Sequence, residues 1–508
     1  MERVEIVEDG GREWKRARAR RDVVGSSGGR ADGGGVAEDK DEEVEVTGWS
    51  AFGHGGRDFG TGVPSGAPSL GAGRVPFQLT RVEGVPEREN AGATGIRDAL
   101  QDVEWDRGLL GNFMVDLPWL MREVPRLRTA AQVVLAHGGA DRCVLEQPPE
   151  LSGGAIELID MGSEVPPFGS HHCKFAVLFS ETSVRVVIHT ANYIPVDWGR
   201  KTQGAYIRDF PLRASSVSSS ASSSSFGSDL EGFLMDAYGH HLGARELAGK
   251  LRRYDFSGAG AALVASVPGN HPRGSSAYGH RRLRALMRGR VAGRAEVVAQ
   301  CSSLGSLQAE WLDGELTASL LGRPAEGGGE TLKLVWPTRD DVEGSLEGVA
   351  AGNSIPLRRA NCKPFLVEEY MHRWTAPTHL VPSSPSSAPV RQRAMPHIKS
   401  YAVVERHVSA DPERDLLHAF VLTSANVSKA AWGWPLKSGQ LKILSYELGV
   451  LFLPEHHLPR RVTFRPGPVG NTQEAGADAV IRFPVPYSLR PTRYVPHRDV
   501  PWVVDEQE

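Results

Sequence analysis

The sequence predicts an α/β protein made of two similar α/β domains related by a pseudo-two-fold axis, with the active site at their interface. Three observations point there. The chain has 508 residues, which as a prior suggests two to four domains. Two successive segments of similar size each alternate apolar strands with helical stretches. Each segment also carries one copy of the same polar pattern, His-x-Lys followed by a strand that ends in Asn.

Composition narrows the class. Hydrophobic residues make up 40% of the chain, enough for sizeable cores, while 57 glycines and 34 prolines imply long loops or tails. The formal net charge of -3 gives no global basic field, so any nucleic-acid contact must come from local patches. The cysteines, Cys143, Cys173, Cys301 and Cys362, are scattered with no CxxC pair. That pattern argues against a zinc ribbon or disulfide scaffold and suits a reducing compartment. Met1 to Gly10 lacks the apolar core of a signal peptide. No apolar run is long enough to span a membrane.

In chain order, residues 1–74 read as a disordered charged tail with glycine runs. It holds a basic stretch (Lys15 to Arg21) and an acidic one (Glu38 to Glu45), and so buries too little apolar surface to offset its ordering entropy. The basic stretch is either a nuclear localisation signal or a solvated charged tail. Order is expected from Val75, with an N-terminal domain over 75–267. Asn112–Leu117 and Ala131–Leu135 read as buried strands, and Phe175–Phe179 and Val184–Ile188 as an adjacent pair. A serine-rich insertion at 214–228 is followed by a helix over Leu230–Tyr238. Pro268-Gly269 marks the boundary to a C-terminal domain over 268–508, whose clearest strands are Leu332–Trp336, His418–Leu422 and Leu448–Phe452. Pro382–Pro389 reads as a surface loop.

The repeated pattern carries the chemistry. The first copy is His172-Cys173-Lys174 with Asn192 at the end of the next strand; the second is His397-Ile398-Lys399 with Asn426 in the same place. His and Lys two apart on a strand share a face. Two such clusters meeting across a domain interface would surround one anion with two imidazoles, two ammoniums and two amides. Lys and Asn would then donate to non-bridging phosphate oxygens, one His could attack phosphorus, and the other could transfer protons. A single His-x-Lys is more often an exposed strand edge; two copies, each with its Asn, are hard to explain that way.

The surrounding segments resemble the tyrosyl-DNA phosphodiesterase branch of the phospholipase D superfamily. The resemblance rests on Pro167 to His172, Val186 to Thr190, Asp197-Trp198 with Lys201 to Gly204, Ala394 to Lys399, Thr423 to Gly433, Ser445 to Val450 and Pro501-Trp502, and runs from about Pro76 to the C-terminus. The wider superfamily motif continues HxKxxxxD, but Phe179 and Val404 stand at the Asp positions, which favours the tyrosyl-DNA branch over the phospholipases. Phe113 stands where the family often has tyrosine, so stacking is retained and a hydroxyl lost.

The resemblance implies a phospholipase D-like fold. It makes His172 the nucleophile and His397 the general acid, then general base. It gives Lys174, Lys399, Asn192 and Asn426 as the phosphate clamp, and Gln203 and Glu447 as the residues that orient the two histidines. The bland alternatives are an ordinary loop amide for Gln203 and a surface ion pair for Glu447. His171 and His189 read as structural. Ser303 (or Ser302) and Ser424 are candidates for DNA backbone phosphates against ordinary turn chemistry, and Phe168 for stacking on the terminal base against burial in the core. Lys429 and Ala430 are further candidates for the substrate groove. The basic stretch His280 to Arg284 is either a DNA contact or a solvated helix face.

By the same resemblance, His172 attacks a 3′-phosphorus and expels a tyrosine phenolate that His397 protonates. Water then releases a 3′-phosphate from the phosphohistidine. No metal or other cofactor is expected, since the lysines supply the positive charge and no carboxylate cluster for magnesium is evident. The expected partners are single-stranded or nicked DNA 3′ ends bearing topoisomerase I peptide, with no membrane. The chain is expected to be a nuclear, monomeric DNA-repair enzyme. Two other readings stay open here: a phospholipase with the same centre, and a non-catalytic DNA-end-binding protein.

Overall fold

The computed structural model describes residues 75–148, 154–213, 225–291, 294–325, 328, 331–377, 389–409, 414–457, 461–467, 473–475 and 478–504. The expected tail at 1–74, most of the serine-rich insertion and most of the loop at 382–389 lie outside them.

Two mixed sheets carry the fold. In the first, seven strands run in the spatial order Gln78–Leu79, Gly204–Pro211, Ser183–His189, Phe175–Phe179, Arg107–Asn112, Gln132–His137 and Glu157–Asp160. In the second, which has ten strands, seven run in the order Ala262–Ser266, Glu447–Phe452, Leu416–Thr423, Lys399–Glu405, Glu296–Gln300, Leu332–Trp336 and Met371–Arg373, and Arg461–Pro466, Asp478–Phe483 and Gln473–Ala475 branch from Leu416–Thr423. Read in these orders, the two sheets have the same pairing pattern. The first five strands pair antiparallel and the last two are added in parallel. In both, the strand that follows His-x-Lys is fourth and the strand that ends before Asn is third. The repeat of chemistry is therefore a repeat of topology, as expected of two similar α/β halves. The strand Ala262–Ser266 precedes Pro268-Gly269 yet pairs with the second sheet, so the chain has already crossed to the second half before reaching the boundary expected there.

Burial explains the strand positions. Phe175–Phe179 is buried along its whole length, as is Lys399–Val404, which is the apolar run expected of a central strand covered on both faces. One continuous apolar cluster includes Phe77, Phe175 and Tyr206 of the first half and Tyr401, Phe420 and Phe452 of the second. Phe77 stacks on Phe420 with ring centroids 5.2 Å apart, so the two sheets share a core.

Some local expectations shift. Asn112–Leu117 is not a strand. The strand is Arg107–Asn112, and Asp116 caps the helix Leu117–Glu123 by accepting from the Trp119 N–H at 2.9 Å. Pro118, which suits the first turn of a helix, was the overlooked signal. The helix expected at Leu230 starts at Ser225, inside the expected insertion. The basic stretch lies on the helix Gly279–Met287, where Arg282 is buried against Asp229 at 2.7 Å, while the half-buried Arg281 donates to the Gly439 carbonyl and the half-buried Arg284 to Ser319 and the Gly314 carbonyl. Among the described residues, no helix is long and apolar enough to cross a membrane.

Candidate active site

Both His-x-Lys motifs sit in extended backbone where their central strands begin, Phe175 and Lys399 being the first strand residues. Each is held by main chain from the opposite half. His172 N–H donates to the Tyr446 carbonyl at 3.0 Å, and His397 N–H donates to the Thr202 carbonyl at 3.0 Å. The residue after each of these carbonyls supplies the side chain that orients the histidine. Glu447 Oε2 lies 3.0 Å from His172 Nδ1, and Gln203 Nε2 lies 2.9 Å from His397 Nδ1. Each histidine is therefore positioned by the other half of the molecule, and neither half alone holds a complete site.

A third layer repeats the arrangement. Thr190 Oγ1 donates to Gln203 Oε1 at 2.7 Å and accepts from the Gly204 N–H at 3.0 Å. Ser424 Oγ donates to Glu447 Oε2 and accepts from the Leu448 N–H at 3.0 Å. The hydroxyl two residues before each Asn thus locks the orienting side chain. Ser424, expected on DNA phosphate, is fully buried with its hydroxyl committed to Glu447; the match between Thr190-Ala191-Asn192 and Ser424-Ala425-Asn426 was the unused signal. Because Thr190 gives its proton to Gln203 Oε1, the amide must turn Nε2 toward His397, leaving the Nε2 edge of that imidazole for chemistry.

Asp197 is the residue that sequence reasoning named without a role. Its Oδ2 accepts from the Asn192 N–H at 2.6 Å and lies 3.2 Å from His397 Nδ1. His397 Nδ1 is therefore flanked by a donor, Gln203, and an anionic acceptor, Asp197, and finds a partner whether neutral or protonated. Burial alone would raise the Asp197 carboxyl, but His397, the Asn192 N–H and Lys399 hold it down at about 2.

Burial sets the remaining electrostatics. Lys174 and Lys399 are both fully buried, and each ammonium donates to the carbonyl of its own motif's histidine, Lys174 at 2.8 Å. Burial lowers the Lys174 ammonium to about 8; burial and then the Lys174 charge push Lys399 well below the ordinary value. Burial and Lys174 also lower His172 against the opposing pull of Glu447, and burial and Lys399 push His397 to about 3 against the pull of Asp197. Burial and the mutual repulsion of the lysines outweigh the Glu447 and Asp197 carboxylates there, so a bound phosphodiester anion would relieve both lysines and raise both imidazoles.

A cleft of about 410 Å³ opens onto this centre, lined among others by Phe168, His172, Ser303, Arg358, Asn426, Ala430 and Glu447. Asn426 Oδ1 accepts from the Ser302 and Ser303 N–H groups at 3.0 and 3.1 Å, which turns its amide nitrogen away from them. Asn192 is buried, with its Oδ1 unpartnered. Phe168 is 95% exposed with φ of 65°, which rules out the core reading. The next residue must be glycine, since a Cβ on Gly169 would lie 2.1 Å from the Leu444 carbonyl. Lys429 begins the short helix Lys429–Trp432 and is not among the cleft residues, while Ala430 is. Phe113 packs edge-on to His172, centroids 5.3 Å apart, and beneath the Lys174 ammonium at 5.6 Å. His171 is buried between the Asn112 carbonyl and the Tyr238 hydroxyl, at 3.3 and 2.7 Å, and His189 is buried beside Tyr193, so both are structural.

Two sheets of matching topology, each bringing a histidine, a lysine and an asparagine to the interface between the halves, have the architecture of the phospholipase D-like fold. Residues 76–495 match the tyrosyl-DNA phosphodiesterase family model. The chain is 35% identical over 482 residues to tyrosyl-DNA phosphodiesterase 1 of Arabidopsis thaliana, covering 84% of this chain and 74% of the relative. It is 33% identical over 420 residues to the Drosophila melanogaster enzyme of the same name, covering 78% and 67%. The crystal structure of the yeast tyrosyl-DNA phosphodiesterase shares the fold with a TM-score of 0.61 at 16% identity, over 84% of this chain and 99% of that one. The protein belongs to the tyrosyl-DNA phosphodiesterase family and is a phosphodiesterase of the hydrolase class.

Proposed function

We propose that this enzyme repairs DNA by hydrolysing the 3′-phosphotyrosyl bond left by topoisomerase I, and related 3′-end adducts, on single-stranded or nicked ends. The observation that carries this reading is the crossed arrangement of the two histidines, each oriented by the opposite half with different chemistry. His172 faces a carboxylate, which stabilises the imidazolium that develops as its Nε2 attacks phosphorus. His397 faces an amide and Asp197, which suit a group that must give up a proton and later take one back.

In the first step the His172 N–P bond forms, the P–O bond to tyrosine breaks, and protonated His397 delivers its proton to the phenolate. In the second, neutral His397 takes a proton from water, whose oxygen attacks phosphorus. The N–P bond breaks and a 3′-phosphate leaves. Lys174, Lys399, Asn192 and Asn426 offset the charge on the phosphoryl oxygens in both transition states. The exposed Phe168 offers a platform for the terminal base, and Ser303 and Ala430 line the approach. One chain supplies every group, so a monomer suffices, and the basic stretch before Arg21 would address it to the nucleus.

The test is incubation with a labelled oligonucleotide bearing a 3′-tyrosine, with EDTA in excess. The expected product is the 3′-phosphate at the rate seen without EDTA. Loss of cleavage that magnesium or zinc restores would overturn the mechanism. Preferential hydrolysis of phosphatidylcholine would assign the centre to a lipid substrate.

A further inference from the structure

Outside the cleft, three donor side chains converge. Glu164 Oε2 lies 2.8 Å from His240 Nε2, and its Oε1 lies 3.0 Å from His241 Nε2. One donor atom from each residue lies within 4.8 Å of the other two. The two rings belong to consecutive residues, which ordinarily point apart. Here the turn after the helix Ser225–Tyr238 brings their centroids within 4.1 Å. None of the three lines the cleft or contacts the catalytic groups.

We propose that Glu164, His240 and His241 form a site for a divalent transition-metal ion, Zn²⁺ being the ion whose ligand preferences they match. Zn²⁺ binds imidazole nitrogen at about 2.0–2.1 Å and carboxylate oxygen at about 2.0–2.2 Å, so tetrahedral ligands sit about 3.4 Å apart. Both observed His–Glu separations, 2.8 and 3.0 Å, are shorter than that spacing, and a widening of each by about half an ångström admits the ion. The side chains of Glu164, His240 and His241 are 28%, 56% and 25% exposed. Solvent therefore reaches the site and water completes the fourth position. The site takes no part in the reaction. It ties the segment of Glu164, eight residues before His172, to that of His240, two residues after the Tyr238 that holds His171 at 2.7 Å, and so adds to stability while metal removal leaves the rate of cleavage unchanged.

The experiment is calorimetric titration of the metal-stripped full chain with ZnCl₂, in a His172→Ala/His397→Ala background that removes binding by the catalytic imidazoles. Visible absorption of added Co²⁺ reports tetrahedral geometry. One equivalent of Zn²⁺ is expected. Glu164→Gln, His240→Ala and His241→Ala should each weaken it by at least about tenfold, since even outer-shell partners of metal ligands are worth roughly 10–100-fold. Glu164→Gln keeps the size and hydrogen-bonding capacity of the side chain, so a loss there is not a folding effect. No stoichiometric binding in the background protein, or binding that all three substitutions leave unchanged, would overturn the proposal.

Discussion

Replacing Glu447 with Gln isolates what the carboxylate beside the nucleophile contributes. Gln is isosteric and can place its amide oxygen where Oε2 now accepts from Ser424 Oγ and lies 3.0 Å from His172 Nδ1, so both contacts are retained and only the charge is lost. Glu447 is 4% exposed, so the charge is poorly screened. At an effective dielectric of about 20, opposite unit charges about 4 Å apart attract by about 4 kcal/mol. The neutral hydrogen bond that remains returns about 1 kcal/mol. The developing imidazolium therefore loses about 3 kcal/mol, or roughly a factor of 10² in the rate of attack. The two ammoniums nearby, which the carboxylate also offsets, push the effect toward about 10³. Single-turnover measurement of tyrosine release from a 3′-phosphotyrosyl oligonucleotide reads this step alone. A rate within threefold of wild type would refute the assignment of His172 as the attacking group held by Glu447. Ser424→Ala, which leaves the carboxylate but removes its lock, should cost only about tenfold.

Other outcomes follow from the same geometry. Lys174→Ala or Lys399→Ala removes one buried charge-assisted donor and should slow cleavage by about 10²–10³; steady-state rates within threefold of wild type for both would remove them from the clamp. The phenolate leaves tolerably without an acid, whereas water is a poor nucleophile without a base. Substituting His397 should therefore slow the second step more than the first and accumulate a covalent protein–DNA adduct on a denaturing gel, while His172→Ala should give neither adduct nor product. Lys174 loses its proton near pH 8 in the empty site, so kcat/KM, which reports the free enzyme, should fall as pH rises through that value; a profile flat to pH 9.5 would contradict it. Asp197 raises the pKa of His397, so Asp197→Asn should move the alkaline fall of the first-step rate to lower pH, and a shift to higher pH would show that Asp197 does not face the proton-transferring imidazole.

Much of the site was legible in the sequence because the chemistry is duplicated. His172, Lys174 and Asn192 and their counterparts His397, Lys399 and Asn426 recur in one pattern, and the apolar runs behind them were long enough to fix Phe175–Phe179 and Leu332–Trp336 as strands. The helix start capped by Asp116 is hidden in the sequence because short apolar runs look alike whether they end a strand or begin a helix. Contacts between residues far apart in the chain were beyond the sequence. Ser424 looked like a turn hydroxyl free for DNA, and only the packing of strand Glu447–Phe452 beside strand Leu416–Thr423 commits it to Glu447. Asp197 is conspicuous only once the second half brings His397 to within 3.2 Å of it. The sequence alone determined which groups are candidates for the chemistry, since residue type sets what can serve as nucleophile, acid or cation. The tertiary structure decided which half orients which histidine and how far burial shifts their protons, because both depend on distances across an interface that no local pattern encodes.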